Sequence, residues 1–485
     1  MQQLSGIDAS FLYLETDRTP MHVAGLTLYE LPEGFKGSFY DHFRTFFEGR
    51  VHLVPIFNRK LARTVFELDH PGWVEVDDLD FDYHITSVKL NKPGSMEQVE
   101  EFVAEIHAKP LDRKKPLWQF VVIEGMADAE DGTRRAGLYS KVHHAAIDGG
   151  AGMLIAQALY DFTPVPRDVA PAVEVKPARK PTLTERGILG VHDVVANVVT
   201  QQLKAWEAVP KMMDQMLDGA ERLASGNLGK DITDLASKLD PNAIGAPKVP
   251  FSVTMGKGRT YAARTVRLTD VKAIAKATGT KLNDVVMAIC SGALHHYLKD
   301  KKKLPTKPLV AFVPVSTREA GNDDMNNQVA GMNIPIATQI ADPMDRLRAI
   351  ADQSGIQKEV VNAVKPMIPA DYTVLGAPHL VSALVELYGQ TQLADVVPQA
   401  VNLCISNTMG PPFPMYCTGA KVTHLYPVSI VTHGVGLNIT VQSYCDSMDF
   451  GLVGGRRAMP DIADLADLLQ VSLDELKDAV AKQAA

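Results

Sequence analysis

Lys141-Val142-His143-His144-Ala145-Ala146-Ile147-Asp148-Gly149-Gly150 joins a strand to a helix. Residues 136–142 (AGLYSKV) predict a β-strand, and residues 151–160 (AGMLIAQALY) predict an amphipathic helix. Two histidines, one aspartate and a glycine pair therefore share one strand-to-helix turn. Adjacent strand residues point to opposite faces, so His143 and His144 cannot both face the same space. One can reach a substrate while the other packs or orients. Asp148, four residues on, can bond a nearby backbone group or an arginine. Gly149 and Gly150 permit backbone conformations that a side chain forbids. A neutral imidazole, with an ordinary pKa near ~6.5, suits a general base for an alcohol proton. Two adjacent histidines are otherwise as readily a satisfied structural pair. Their strand–turn–helix setting is what sets these apart.

The 485 residues suffice for two to four domains, and 46% hydrophobic with 22% charged residues is ordinary for a packed soluble protein. A net charge of −8 argues against a general nucleic-acid binder, which would be basic. The four cysteines, Cys290, Cys404, Cys417 and Cys445, match no zinc spacing and no CxxC. Free thiols in a reducing cytoplasm are expected, with Cys290 as core packing. The N-terminus lacks a basic region followed by an apolar stretch, so no signal peptide is expected. No apolar run approaches the ~20 residues that span a bilayer.

Residues 5–13 (SGIDASFLY) form a mixed apolar segment that could cover a core edge. Strands are predicted over 21–31 and 118–124, helices over 38–47 and 95–107, and two short extended segments over 73–90. Arg113-Lys114-Lys115 reads as a solvated face, or alternatively as a phosphate contact. Residues 162–181 are proline-rich and read as a linker, and 182–223 are helical with an interruption at Pro210. The methionine-rich stretch 209–217 suits a connecting helix, or a lid or membrane-touching face. In the second half, strands are predicted over 259–268, 308–315, 328–337 and 401–406, and a hairpin over 437–444 and 448–453. Helices are predicted over 269–277, 282–298, 343–364 and 378–387, with 461–481 helical and broken near Ser472. His295-His296 is expected to be partly exposed rather than metal-binding. No internal repeat is evident, yet each half mixes strands with covering helices.

His143-His144-x-x-x-Asp148-Gly149 resembles the HHxxxDG active-site motif of the CoA-dependent acyltransferase superfamily. That group includes chloramphenicol acetyltransferase, carnitine acyltransferases and peptide-synthetase condensation domains. Further stretches narrow the resemblance to the bacterial wax ester synthase/diacylglycerol acyltransferase family. They are SxxDxxFL from Ser5 to Leu12, Pro116-Leu117-Trp118, and Asn283-Asp284. NNQV, containing Asn327, and SNTMGP, opening with Ser406-Asn407, also resemble family motifs. The second is usually SNVPGP, so Thr408-Met409 is a departure. Read without the resemblance, a proline at a strand start and a core tryptophan are commonplace, and Asn283-Asp284 caps a helix.

The resemblance covers nearly the whole chain and implies an α/β (α+β) fold of two chloramphenicol-acetyltransferase-like domains. Each would be a mixed sheet covered by helices, with the reaction centre in a tunnel between them. The expected division is 1–165 for the N-terminal domain carrying HHxxxDG and 166–248 for a linker, proline-rich then helical. Residues 249–485 would form the C-terminal domain. The implied activity moves a long-chain acyl group from acyl-CoA to a fatty alcohol or diacylglycerol by direct attack. No GxSxG nucleophile motif is present. His144 would be the general base, with His143 packing or orienting it. Asp148 would hold the turn, bonded to an arginine such as Arg318, and Gly149 would allow the turn. Pro116, Leu117, Trp118, Asn283, Asp284, Asn327, Ser406 and Asn407 would line the substrate site, Asn283 as oxyanion donor or tunnel wall. Acyl-CoA is then a substrate, and no cofactor or metal is expected. Association with a membrane or lipid inclusions would be peripheral, at the cytoplasmic face. The competing readings are a condensation-type acyltransferase with other substrates, and a non-catalytic lipid-droplet binding protein.

Overall fold

The computed structural model describes residues 2–62, 70–76, 78–147, 151–171, 245–316, 329–364 and 378–484. Asp148, Gly149, Asn327, Arg318 and the helical stretch expected over 182–223 lie outside the described residues.

Two six-stranded sheets carry the fold. The first runs Tyr416–Cys417, Ala420–Val428, His22–Glu30, Arg135–His143, Trp118–Glu124, Ile85–Lys89, and is antiparallel except for its last pair. The second runs Val329–Pro335, Val310–Ser316, Leu403–Thr408, Leu437–Tyr444, Ser447–Gly455, Arg259–Arg267, with parallel pairing on both sides of Leu403–Thr408. A three-stranded sheet of Gln2–Gln3, Gly72–Glu75 and Arg59–Ala62 lies apart from them.

Two strands of the first sheet come from far along the chain. Ala420–Val428 pairs with His22–Glu30, placing Val428 opposite Ala24 and Lys421 opposite Glu30. The fully buried Asp449 carboxylate pins this strand to the second sheet. It accepts hydrogen bonds from Leu425 N (2.7 Å) and Thr265 Oγ1 (2.7 Å), and His424 Nδ1 lies 3.1 Å away. The crossing is so tight at Gly451 that a Cβ there would sit 1.7 Å from the Pro427 carbonyl oxygen.

Several expectations need correction or refinement. Residues 5–13 do cover a core edge, through Ala9, Leu12 and Tyr13, and they do so as the helix Gly6–Leu14, whose start is fixed by Ser5 Oγ accepting from Asp8 N (3.1 Å) and donating to Asp8 Oδ2 (2.7 Å). The stretch 73–90 contains the short helix Phe81–His84, started by Asp80 capping Tyr83 N (3.1 Å). The C-terminal helix Ile462–Ala484 does not break at Ser472. Ser472 is buried where this helix crosses Leu282–Asp300, and a Cβ on Gly292 would lie 2.0 Å from its hydroxyl. His295 is buried rather than partly exposed, with its Nδ1 2.8 Å from the Thr338 carbonyl. The four cysteines are unpaired, and Cys290 lies in the core.

Candidate active site

His143 closes the strand Arg135–His143, and His144–Ala146 forms a 3-10 turn directly after it. Both backbones are anchored. His143 N donates to Leu117 O and His144 N to Met21 O, each at 2.9 Å. The Pro116-Leu117-Trp118 stretch thus fixes the histidine strand through a carbonyl. Trp118 itself is fully buried, stacked on His84 at 4.3 Å and donating Nε1–H to Phe57 O (3.0 Å). Its indole belongs to the aromatic core, as do Leu117 and the adjoining Phe47 and Phe57.

The two histidines have different surroundings. His143 is fully buried, and its Nδ1 accepts from Ala145 N at 3.0 Å. That bond places the proton of the neutral ring on Nε2. Nε2 lies 3.4 Å from Glu15 Oε1, close but off the line of a hydrogen bond. Glu15 also accepts from Met21 N (3.0 Å) and from Arg113 Nε and Nη2 (2.9 and 2.8 Å). Burial alone would raise the Glu15 carboxyl, but His143, Arg113 and the Met21 amide outweigh it and hold the group at about 2. Arg113 is therefore committed to Glu15 and is not a free phosphate contact. Lys115 pairs with Asp80 at 2.7 Å and lies over the Tyr83 ring.

His144 is partly open. Its ring stacks on Phe11 at 3.9 Å and 15°, so the SxxDxxFL segment ends its helix against the histidine turn. His144 Nδ1 is buried with no partner among the described residues. Burial first, then the neighbouring His143, pushes the imidazole down to about 4. The ring is consequently neutral at neutral pH, with a lone pair available.

Beneath the turn lies a buried polar strip. His143 stands opposite His22 across the strand pair, and Lys141 and Tyr139 follow at alternate positions on the same face. Lys141 Nζ donates to Ile106 O (3.2 Å) and Lys109 O (3.0 Å), neutralising the C-terminal end of the helix Met96–His107. Burial lowers its ammonium to about 7. His22 Nε2 faces His107 O at 2.8 Å, and His107 Nδ1 faces Tyr139 Oη at 2.8 Å.

In the second half, the structure brings together two of the expected segments. Asn407 Nδ2 donates to Asn283 Oδ1 at 3.3 Å. Asp284 caps its helix instead, its Oδ2 accepting from Lys281 N at 3.0 Å. Ser406 lies beside Asn407 on the strand Leu403–Thr408, opposite Thr440. No hydrogen bond among the described residues joins this group to the histidine turn. Among the described residues, no cluster of three or more His, Cys, Asp or Glu could hold a metal ion.

Residues 4–286 match the family described as the wax ester synthase/diacylglycerol acyltransferase catalytic domain, and residues 325–477 match the C-terminal domain of the same family. The chain belongs to the wax ester synthase/diacylglycerol acyltransferase family. A putative diacylglycerol O-acyltransferase of Mycobacterium tuberculosis is 34% identical, covering 98% of this chain and 100% of its own length. The solved wax ester synthase/diacylglycerol acyltransferase from Marinobacter aquaeolei superposes with a TM-score of 0.69 at 28% identity, covering 99% of this chain and 100% of that one. The first condensation domain of the calcium-dependent antibiotic synthetase, at 12% identity and a TM-score of 0.57, shares the fold over 100% of this chain and 97% of its own. The family's two-domain α/β architecture is thus present, and the chain is an acyltransferase of this family.

Glu15 and Phe11 are the members of this site that sequence reasoning did not assign. Glu15 had one available signal: it is the first carboxylate after the apolar run that closes SxxDxxFL.

Proposed function

We propose that the protein transfers a long-chain acyl group from acyl-CoA to the hydroxyl of a fatty alcohol or a diacylglycerol, with His144 as general base. The imidazole takes the hydroxyl proton as the oxygen attacks the thioester carbonyl. The tetrahedral intermediate then collapses, the C–S bond breaks, and the departing CoA sulfur recovers the proton from His144. The observation that carries this reading is the neutral, partly open His144 ring held against Phe11, beside a His143 locked away on Glu15. Stacking fixes the plane of the base, and the Arg113–Glu15–His143 chain fixes the backbone that presents it. The test is His144→Ala in purified full-length protein, following CoA release and ester formation from palmitoyl-CoA with hexadecanol and with a diacylglycerol. Loss of both products with an unchanged melting temperature is expected. Unchanged ester synthesis would remove His144 from the mechanism, and CoA release without ester would mean a thioesterase.

The same reading places the enzyme at a lipid surface, where such acceptors reside. No helix among the described residues is long and apolar enough to cross a membrane. Leu384 and Leu387, one helical turn apart, are exposed on Pro378–Gln390, and Val396 follows at 81% exposure. This helix adjoins the site, since Ser382 Oγ donates to Tyr13 O at 3.0 Å. Its apolar side is the lipid-facing surface in this proposal. A membrane fraction should release the protein on alkaline washing; retention through that wash would contradict a peripheral attachment.

A further inference from the structure

We propose that the phosphate-bearing end of the acyl-CoA donor docks in a basic mouth at the seam of the two halves, built around Arg18, Lys257, Arg456 and Arg457; this rests on the acyl-transfer reading above. Two cavities, of about 660 and about 470 Å³, share Lys257, Gly258 and Arg456 as a common wall. The larger presents Arg18, Lys257, Arg456 and Arg457 against the single carboxylate of Asp395. The smaller adds Lys109 and Arg259 against Asp17 and Glu105. On a chain of net charge −8, this is a local reversal of sign. A concave surface of one charge focuses the field on an oppositely charged ligand.

The cations divide into a scaffold and a receiving set. Arg259 is buried, and its guanidinium donates to the carbonyls of Gly256, Gly258 and Arg18, fixing the loop that forms the wall. Arg457 is exposed and makes no side-chain hydrogen bond or ion pair among the described residues. Among the described residues Lys257 pairs only with Asp17 (3.1 Å), and both side chains are more than two-thirds exposed. Arg456 is paired with Glu101 (2.6 Å), again at the surface. Exposed pairs of this kind contribute little, so a multiply charged phosphate can displace them. Guanidinium forks suit phosphate oxygens in paired hydrogen bonds.

Position supports the same ligand. Arg18 lies three residues beyond Glu15, whose carboxylate faces His143. The segment from Glu15 to Met21 is thus one wall of the mouth and one support of the histidine turn. Neither histidine lines the cavities, so the mouth is separate from the reacting centre. An anionic lipid headgroup offers the same phosphate chemistry, but recessed cavities favour a soluble phosphate over a flat bilayer.

The experiment compares wild type with Arg457→Glu and Lys257→Glu in the full chain, using palmitoyl-CoA and S-palmitoyl-pantetheine as alternative donors. The variants should raise KM for palmitoyl-CoA roughly ten-fold or more, leaving kcat and the kinetics with the pantetheine donor unchanged. Adenosine 3′,5′-bisphosphate should bind the wild type in a calorimeter, compete with palmitoyl-CoA, and fail to bind the variants. Equal effects on both donors, or on neither, would overturn the proposal, as would loss of binding to anionic vesicles with KM unmoved. A wild-type protein inert toward both donors would instead sink the acyl-transfer reading. Equal use of both donors by the wild type would sink the mouth alone.

Discussion

The two sheets have the same number of strands and bury different chemistry. Around the second, the helix Leu282–Asp300 turns Val285, Ile289, Leu294 and Leu298 into an apolar core with Ile439 and Leu452, and its buried polar groups, among them Ser291 and His295, bond singly to backbone carbonyls. The first sheet carries His22, Tyr139, Lys141 and His143 on one face, with His107 packed over them, all buried. Buried polar groups cost free energy unless paired, so a face this polar is held in place by specific bonds rather than by shape alone. The histidine turn grows from the polar face. The second half lends it a wall and a partner strand.

That contrast can be broken in a graded series. The largest effect is expected from His144→Ala, which should lower kcat by roughly 10²–10⁴ without moving the melting temperature, since the ring is partly open. A melting temperature that falls along with kcat would assign the residue to the scaffold instead. Glu15→Gln should come next. It removes the charge facing His143 and leaves Arg113 without its carboxylate partner, at a cost of about 1–3 kcal/mol, or roughly five- to 150-fold in kcat. Glu15→Asp, which restores the charge on a shorter arm, should recover part of that loss. No difference between the Gln and Asp variants would remove charge from the explanation.

The smallest effect concerns stability against pH. Burial lowers His22 well below its ordinary value, His84 to about 4 and His107 to about 3. Between about pH 6.5 and pH 5 the unfolded chain therefore takes up protons that the folded chain refuses, and stability falls as pH falls. Each histidine contributes up to about 1.4 kcal/mol per pH unit across that window. Lys141, held at about 7, extends the rise above neutrality, because the unfolded chain keeps that proton to higher pH. Urea midpoints at pH 5, 6.5 and 8 measure this; a flat series would mean that the polar strip is hydrated rather than buried.

Local sequence was enough to read the elements whose signal is local. The alternation in 136–142 and the capping by Asp284 and Ser95 reappear in the strand Arg135–His143 and the helices Leu282–Asp300 and Met96–His107, whereas Asn283 bonds Asn407 rather than capping. Apolar spacing alone does not mark Gly6–Leu14 as a helix, although Ser5 and Asp8 cap its start. The strand Ala420–Val428 left no recognisable mark, because a partner some 395 positions away in sequence decides its role. In the site, the histidine pair announced itself through its motif. Glu15 did not, since its importance arises only when the fold lays it against His143 and Arg113.

The exchange of Ala420–Val428 into the first sheet has a genetic corollary. A gene cut near codon 249 would yield an amino-terminal product whose His22–Glu30 strand is left bare along one side, an invitation to aggregation. Its carboxy-terminal sibling would carry an orphan ribbon anchored at Asp449. Such fragments should be insoluble when made separately and recoverable only by co-expression.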